Sequence, residues 1–339
     1  MKRVLRERES LLVIMIVVLI IIITSTNSVF LRSDNLVDIL RNASVLGILA
    51  CGMLLVILTG GIDVSVGAVT AANTCICGML LKNVTDNIPL VFVICMVCGM
   101  LMGLGNGLLI SRLRIPPIVV TLGTYNIVNG LMLYATKGTW ITGLPDSFTI
   151  GFGQASFFNT YVESADRVVG LPIQVIFFIA SIIVTWWLLR YTRFGRSVYA
   201  LGGNREAAIR SGYNVKRSET LIFVYMGLLA GFAAVVHVSI FRQIDPSSFL
   251  GYEINVIAAT VIGGVSINGG YGSILGAILG VFFMTILQNG LILMRIPTFW
   301  QKIVTGLVII IVVSVDMYTE FLRNKNRLKV DVEDVAARQ

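Results

Sequence analysis

The chain has 339 residues, of which 56% are hydrophobic and only 13% are charged. Because soluble domains usually carry about 25% charged residues, this composition excludes an ordinary soluble protein. Many apolar runs approach the ~20 residues that a helix needs to cross the hydrocarbon core of a bilayer. The sequence therefore predicts an all-α polytopic membrane protein, and no long polar stretch is left for a soluble catalytic domain.

The apolar runs predict a single transmembrane domain, 1–339, with about ten transmembrane helices and glycine-rich breaks between some of them. The predicted helices cover residues 11–27, 42–58, 66–81, 89–110, 118–135, 171–189, 218–240, 252–262, 273–294 and 302–315. Within helix 89–110, Gly99, Gly103, Gly105 and Gly107 predict a small-residue face for close helix packing.

The basic residues predict the topology, because short loops rich in Lys and Arg stay in the cytoplasm. Placing both termini inside puts most of the 26 Lys and Arg residues on the cytoplasmic side, including those of a polar tail from Asp316 onward. The net charge of +8 is then explained by membrane topology, and no nucleic-acid partner is expected.

A glycine-rich segment follows helix 42–58, and we call residues 59–65 the first glycine turn. It contains Gly60, Gly61, Asp63 and Ser65. Non-helical backbone at membrane depth is tolerated only where protein or a watery cavity satisfies its polar groups. Asp63 either lines a solute pathway or gate, or caps the next helix by accepting hydrogen bonds from backbone amides near Ser65 and Val66; both roles can hold.

Helix 118–135 carries a polar stripe, because Thr121, Tyr125 and Asn129 repeat at a spacing that shares one helical face, with Thr124 beside them. The stripe either contacts a hydroxylated solute or hydrogen-bonds to neighbouring helices. The five cysteines all lie in apolar runs, as packing residues do. Cys95 and Cys98 form a C-x-x-C, but no second pair supports it, so we expect no metal or redox site.

A second glycine-rich segment, residues 263–272, includes Gly263, Gly264 and Ser266, and we call it the second glycine turn. The sequence NGLL at 106–109 is echoed by NGLI at 289–292. The extra length between turn and echo in the first half, roughly one helix, predicts that the two echoes lie on opposite sides of the membrane, as in an inverted repeat.

The most polar segment between two apolar runs is the basic loop, residues 190–217. It predicts a short helix, in which Asn204 is the N-cap, Glu206 lies in the first turn, Ala207 and Ala208 are helix formers, and Gly212 ends the helix in a left-handed conformation. About two turns are too short to be stable alone, so the helix is held by the protein or by a docked partner. The alternative is a plain connecting loop. The loop holds seven basic residues against one acid: Arg190, Arg193, Arg196, Arg205, Arg210, Lys216 and Arg217.

No G-x-x-x-x-G-K-[ST] phosphate loop occurs in the chain. If ATP drives transport, a separate subunit must bind it, and the basic loop is the natural docking element.

The sequence resembles the permease subunits of bacterial ABC importers for simple sugars, the family of the ribose, xylose, arabinose and galactose permeases. The resemblance runs from about Leu36 to Asp316 and rests on LTGGIDVSVG at 58–67, IVVTLGT at 118–124, ALGGN at 200–204 with Ala207, Ala208 and Gly212, and IGGVS at 262–266 followed by GGYGS at 269–273. Locally, RIPPIVVT at 114–121 looks closest to the autoinducer-2 and rhamnose branches.

The resemblance implies a location in the bacterial inner membrane and a pair of permeases, formed with a second copy or a paralogue. It also implies a partner ATP-binding subunit that uses ATP and Mg, an extracytoplasmic sugar-binding protein, and no cofactor or catalytic residue in this chain. Coupling to the ATPase is assigned by the resemblance to Gly202, Gly203, Asn204, Glu206, Ala207, Ala208 and Gly212.

Two other classes compete with this interpretation. An ion-coupled secondary transporter also uses broken helices near the membrane midplane, but the scarcity of buried acids and the Glu206 segment argue against it. An intramembrane enzyme is disfavoured because no ordered acid–base or metal set is visible. The sequence does not name the sugar.

Overall fold

The computed structural model describes residues 2–162, 167–311 and 314. Within them the chain is helical apart from one β-hairpin, and short helical turns of other types cover Ser28–Leu31 and Ser147–Phe152. The predicted polar tail from Asp316 lies outside the described residues. The elements are α1 (Lys2–Thr26), α2 (Ser33–Leu58), α3 (Val66–Asn83), α4 (Ile88–Leu113), α5 (Pro117–Thr136), β1 (Ser156–Val162), β2 (Arg167–Pro172), α6 (Ile173–Tyr191), α7 (Arg193–Gly203), α8 (Arg205–Arg210), α9 (Val215–Phe241), α10 (Tyr252–Ile262), α11 (Ile274–Leu293) and α12 (Thr298–Ile311).

The helices confirm the prediction of an all-α polytopic membrane protein. Seven helices in the described part of the chain are long and apolar enough to cross a membrane: α1, α2, α4, α5, α6, α9 and α11. The predicted ranges 66–81, 252–262 and 302–315 correspond to α3, α10 and α12, of which the last two are shorter apolar helices.

The first two helices begin earlier than predicted, at Lys2 and Ser33 rather than at residues 11 and 42. The predicted helices 11–27 and 42–58 leave residues 28–41 outside any helix. In the structure Asp34 lies in the first turn of α2, where the helix dipole favours a negative charge. Asn35 is buried and donates to the carbonyl oxygen of Phe30 at 2.9 Å. Tertiary contacts of this polar turn therefore extend the helix.

The central helix of the fold is α2, whose membrane-length window is 83% buried inside the protein. It contacts α6, α9, α10 and α11. Two glycines near its middle allow close approach, because a β-carbon at Gly47 would overlap the ring of Phe178 on α6, and one at Gly52 would overlap the sulfur of Met226 on α9. The core of the bundle is thus built around α2.

The closest helix pair is formed by α4 and α9. A β-carbon at Gly99 would overlap the carbonyl oxygen of Gly227, and one at Gly103 would overlap the carbonyl oxygen of Phe223. Gly107 lies against the backbone of Thr220. The predicted small-residue face is therefore present, but Gly105 does not belong to it, because no atom lies within 4 Å of its β-carbon position.

The long connection between α5 and α6 contains the hairpin, in which β1 and β2 pair antiparallel. The backbone of Ile141 also exchanges two hydrogen bonds with Ile244, both of 3.0 Å, so the α5–α6 and α9–α10 connections are joined. We call this end of the bundle the hairpin end. The opposite end, where α2 finishes at Leu58 and where α7 and α8 lie, is the basic end.

The basic loop folds as two helices, whereas a single short helix was predicted within it. The additional helix, α7, begins after Thr192, whose Oγ1 accepts a hydrogen bond from the amide of Gly195 at 3.1 Å. Val198 and Leu201 of α7 are buried against the bundle. Its amphipathic spacing was hidden in the sequence by the high density of arginines and glycines.

The two sequence echoes lie at opposite ends of α2, as predicted. Asn106 hydrogen-bonds to Ser65 near the basic end, and Asn289 hydrogen-bonds to Asn35 at the start of α2. The two glycine turns, however, touch each other at the basic end, since the amide of Gly270 donates to the carbonyl oxygen of Leu58. The inverted relation therefore does not extend to the glycine turns.

Candidate functional site

The first glycine turn is held by the carboxylate of Asp63, which is buried between α2 and α3. Its Oδ1 accepts hydrogen bonds from the amide of Ser65 at 2.8 Å and from Ser65 Oγ at 2.6 Å. These bonds satisfy the backbone just before α3 begins, as the capping interpretation predicted. Gly60 adopts a φ of 75°, and Gly61 is buried.

A buried polar chain connects this turn to α4 and α5. Asn106 Nδ2 donates to Ser65 Oγ at 2.9 Å, and Thr124 Oγ1 donates to Asn106 Oδ1 at 2.5 Å. Asn106 is only 2% exposed, so its amide group depends on these partners. Sequence reasoning missed Asn106 as a site residue; the one available signal was a strongly polar side chain inside a glycine-rich apolar helix.

The residues of the polar stripe of α5 lie in different environments. Thr121 is fully buried; its hydroxyl accepts from the amide of Val64 at 3.2 Å and donates to the carbonyl oxygen of Pro117 at 2.9 Å. Thr121 therefore packs against the first glycine turn. Tyr125 is half-buried. The Oδ1 atom of Asn129 is buried and has no hydrogen-bond partner among the described residues.

The second glycine turn begins where α10 packs on α11. A β-carbon at Gly263 would overlap the carbonyl oxygen of Gly276, so the two helices meet at backbone distance. Gly264 adopts a φ of 82°. Ser266 is 7% exposed, and its amide donates to the carbonyl oxygen of Tyr271 at 2.9 Å, which closes the turn on itself.

The two glycine turns and the end of α7 meet at one point of the basic end. The amide of Gly270 donates to the carbonyl oxygen of Leu58 at 2.9 Å. Gly202 of α7 lies against the same two residues. Burial raises the pKa of the Tyr199 hydroxyl, which stays protonated and donates to the carbonyl oxygen of Gly272 at 3.1 Å. Sequence reasoning did not predict this meeting.

The short helix α8 has the predicted local structure. Asn204 Oδ1 accepts a hydrogen bond from the amide of Ala207 at 2.9 Å, and Gly212 adopts a φ of 81° after the helix ends. Ala208 is buried and holds α8 to the protein. The outward face is exposed, and the side chains of its Glu206–Arg210 ion pair are each 83% exposed. Gly203 and Ala207 are exposed as well.

A second attachment of α8 was not predicted. Arg205 forms a salt bridge of 3.1 Å with Glu219 on α9, and the Glu219 side chain is only 16% exposed. Beside this pair lies a cavity of about 320 Å³, which is also lined by Gly60 and Gly61 of the first glycine turn and by Arg114 at the end of α4. The pair thus connects the basic loop to the region of the first glycine turn.

Another buried acid, Glu253, lies in the first turn of α10, where it contacts the first turn of α3. It is 7% exposed, and its Oε2 atom has no hydrogen-bond partner among the described residues. A β-carbon at Gly67 of α3 would overlap this oxygen. Glu253 is a candidate pathway residue that sequence reasoning missed, because an acid at a helix start reads as an ordinary dipole partner. The described residues contain no group of three or more His, Cys, Asp or Glu side chains that could hold a metal ion.

Long apolar helices around a buried central helix, broken by glycine turns and followed by an exposed basic segment, define a multi-pass membrane permease. The family model of the permease component of branched-chain amino acid transport systems matches residues 35–313, so the chain belongs to that family. The first helix, α1, lies before the matched region.

Curated relatives are similar along most of their length. The chain is 36% identical over 292 residues to the ribose import permease protein RbsC of Bacillus subtilis, which covers 86% of this chain and 87% of that protein. It is 36% identical over 289 residues to the autoinducer 2 import system permease protein LsrC of Escherichia coli, covering 85% and 80%. The LsrC protein of Salmonella paratyphi B is 34% identical over 316 residues, covering 93% and 88%. No solved structure matches the fold.

Proposed function

We infer that the chain is the permease subunit of an ATP-driven importer that carries a simple sugar or a sugar-like solute into a bacterial cell. The observation that carries this proposal is the similarity to a ribose import permease over 86% of the chain. The chain is 36% identical to an autoinducer 2 permease as well, the same identity as to the ribose permease. This similarity supports the same solute class. Autoinducer 2 or rhamnose is the narrower alternative for the solute.

The ATP-binding subunit docks on α8 in this proposal. The exposed face of α8 supports it, because Ile209 is 53% exposed and lies beside the exposed Glu206–Arg210 pair. An apolar side chain surrounded by charged groups on a protruding helix is typical of a contact with another protein. ATP and Mg are bound by that subunit, and this chain contributes no catalytic residue to hydrolysis.

The other partners follow from the same proposal. A second permease copy or a paralogue completes the pathway across the inner membrane, and an extracytoplasmic binding protein delivers the solute to the hairpin end. Both termini and the basic end face the cytoplasm, as the distribution of Lys and Arg favours. Asn129 and Glu253 are proposed as pathway residues, because each carries a buried oxygen without a hydrogen-bond partner among the described residues.

Reconstitution tests the proposal. The permease is placed in vesicles with its co-encoded ATP-binding subunit and binding protein, and uptake of ribose, rhamnose and autoinducer 2 is measured separately. We expect uptake of one of them that requires ATP inside the vesicles. Uptake driven by a sodium or proton gradient in the absence of ATP would reject the importer and favour an ion-coupled carrier.

Variants of α8 test the docking role. Glu206→Lys reverses an exposed charge, and Gly212→Val forces a β-branched residue into a left-handed conformation at a position with no atom within 4 Å. Both variants are expected to insert normally and to lose uptake while ATP hydrolysis by the partner continues. The control is Arg112→Glu, which reverses an exposed charge in the last turn of α4, outside α8. Normal uptake in both α8 variants would contradict docking at α8.

A further inference from the structure

We propose that Gly202 is a positioning residue that joins α8 to both glycine turns, so that one displacement of the docking helix reaches both turns together. This inference rests on the proposed function, and it adds a specific point of contact through which motion passes. It is drawn from the packing at the basic end, where backbone atoms from three distant parts of the chain meet.

The packing at Gly202 excludes every side chain. A β-carbon there would overlap both the carbonyl oxygen of Leu58 and the amide nitrogen of Gly270, which belong to the boundaries of different turns. Backbone atoms cannot rotate away as a flexible side chain can. The adjacent Gly203 has no atom within 4 Å of its β-carbon position. A side chain is therefore excluded at Gly202 but has room at Gly203, and only Gly202 lies in the contact.

The two turns are also fixed to each other. The amide of Gly270 donates to the carbonyl oxygen of Leu58 at 2.9 Å. A β-carbon at Gly269 would lie 2.8 Å from the amide nitrogen of Gly60 and 3.2 Å from the Cα of Gly202. The three segments consequently share one close-packed point. Moving any one of them alone would break the hydrogen bond or open a void.

The path from α8 to this point is short and stiff. Asn204 is the only residue between α7 and α8, and it caps α8 through its side chain while its amide bonds to the carbonyl oxygen of Ala200 in α7. Tyr199 adds a second connection, because its Oη donates to the carbonyl oxygen of Gly272 at 3.1 Å. A push on α8 is therefore passed along α7 to both turns.

From the turns, rigid contacts lead to different helices. The first turn continues through Ser65 and Asn106 to α4 and α5. The second continues through the backbone contact of Gly263 with Gly276 to α10 and α11. Gly202 thus lies where a displacement of α8 is passed both to α4 and α5 and to α10 and α11.

The contact is tested first in the isolated permease by hydrogen exchange. Gly202→Ala is expected to accelerate exchange in peptides covering residues 58–61 and 268–272 by about tenfold, because it displaces the acceptor and donor of the Leu58–Gly270 bond. Gly105→Ala on α4 is the control, because no atom lies within 4 Å of its β-carbon position, and it should leave both peptides unchanged. Unchanged exchange in Gly202→Ala, or equal acceleration in both variants, would overturn the inference without bearing on the proposed function.

The second measurement uses the full transporter with its ATP-binding subunit and binding protein, and reads the ratio of solute imported to ATP hydrolysed. We expect this ratio to fall about tenfold in Gly202→Ala and to stay at the wild-type value in Gly105→Ala. A wild-type ratio in Gly202→Ala would overturn the inference. If wild type itself imports nothing with ATP, the proposed function fails instead, and the exchange result still stands by itself.

A milder variant keeps the inference testable if Gly202→Ala does not fold. Tyr199→Phe removes one hydrogen bond from α7 to the second turn and leaves the glycine contact intact. It should accelerate exchange in the peptide covering residues 268–272 and lower the import-to-hydrolysis ratio about twofold. A Tyr199→Phe transporter that matches wild type in both measurements would contradict transmission through α7.

Discussion

Replacing Gly99 by alanine tests the close packing of α4 on α9. Alanine adds one carbon to the helix face that meets Gly227, and that carbon overlaps the Gly227 carbonyl oxygen. An ordinary contact between carbon and oxygen needs about 3.5 Å, so the two helices must separate locally by more than about 1 Å. The contact is reciprocal, because a β-carbon at Gly227 would overlap the carbonyl oxygen of Gly99.

The expected cost follows from overpacking. Adding atoms to a well-packed interior costs about 1–3 kcal/mol, and separation at Gly99 also loosens the neighbouring contact at Gly103, so the upper part of this range applies. A loss of about 2–3 kcal/mol corresponds to a fall in Tm of about 3–4 °C for a chain of 339 residues. Gly105→Ala gives the opposite expectation, because nothing lies within 4 Å and alanine favours the helix by up to about 1 kcal/mol.

The assay is thermal unfolding of the purified permease in nanodiscs, followed by intrinsic tryptophan fluorescence. We expect Gly99→Ala to lower the Tm and Gly105→Ala to leave it unchanged or raise it. Both positions lie on α4, so the comparison cancels effects of expression, lipid and helix length. A Gly99→Ala protein with the wild-type Tm would refute the reasoning, and so would two variants that fall by the same amount.

Two further predictions follow. Asn106→Ala should lower the free energy of unfolding by about 2 kcal/mol, because it removes the donor to Ser65 Oγ and the acceptor of the Thr124 hydroxyl; the exposed Asn126→Ala should change it by less than about 0.5 kcal/mol, and equal Tm values for the pair would disprove the buried chain. A double-mutant cycle on Arg205 and Glu219 should give a coupling energy of about 1 kcal/mol, since Glu219 is 16% exposed; a value indistinguishable from zero would remove this attachment of α8.

Hydropathy was sufficient for the helices because a membrane helix satisfies its own backbone and needs only an apolar run of the right length. The cap of α8 was equally predictable, since Asn204 and Gly212 act on backbone groups a few residues away. The start of α2 was not predictable, because it is polar. Asn35 is stabilised there by hydrogen bonds to Phe30 and Asn289 rather than by burial of an apolar side chain. The sequence therefore predicted the features that depend on residues close together in the chain.

The site was less accessible from the sequence, because its contacts join residues far apart in the chain. Asn106 forms hydrogen bonds with Ser65 and Thr124, and no residue near Asn106 in the sequence indicates either partner. The glycine motifs correctly indicated turns. Gly202 contacts Leu58 and Gly270 only because the bundle packs them together. Glycine has no side chain, so its chemistry gives no indication of its partners.

The position of α2 has a mechanical consequence. Its 26 residues make a rod of about 39 Å, and residues 43–58 are buried without a break. Because neighbouring helices pack along this whole length, we expect α2 to move as one stiff unit rather than to bend at one point. A displacement imposed at Leu58 is then expected to reach Asn35, at the opposite membrane surface.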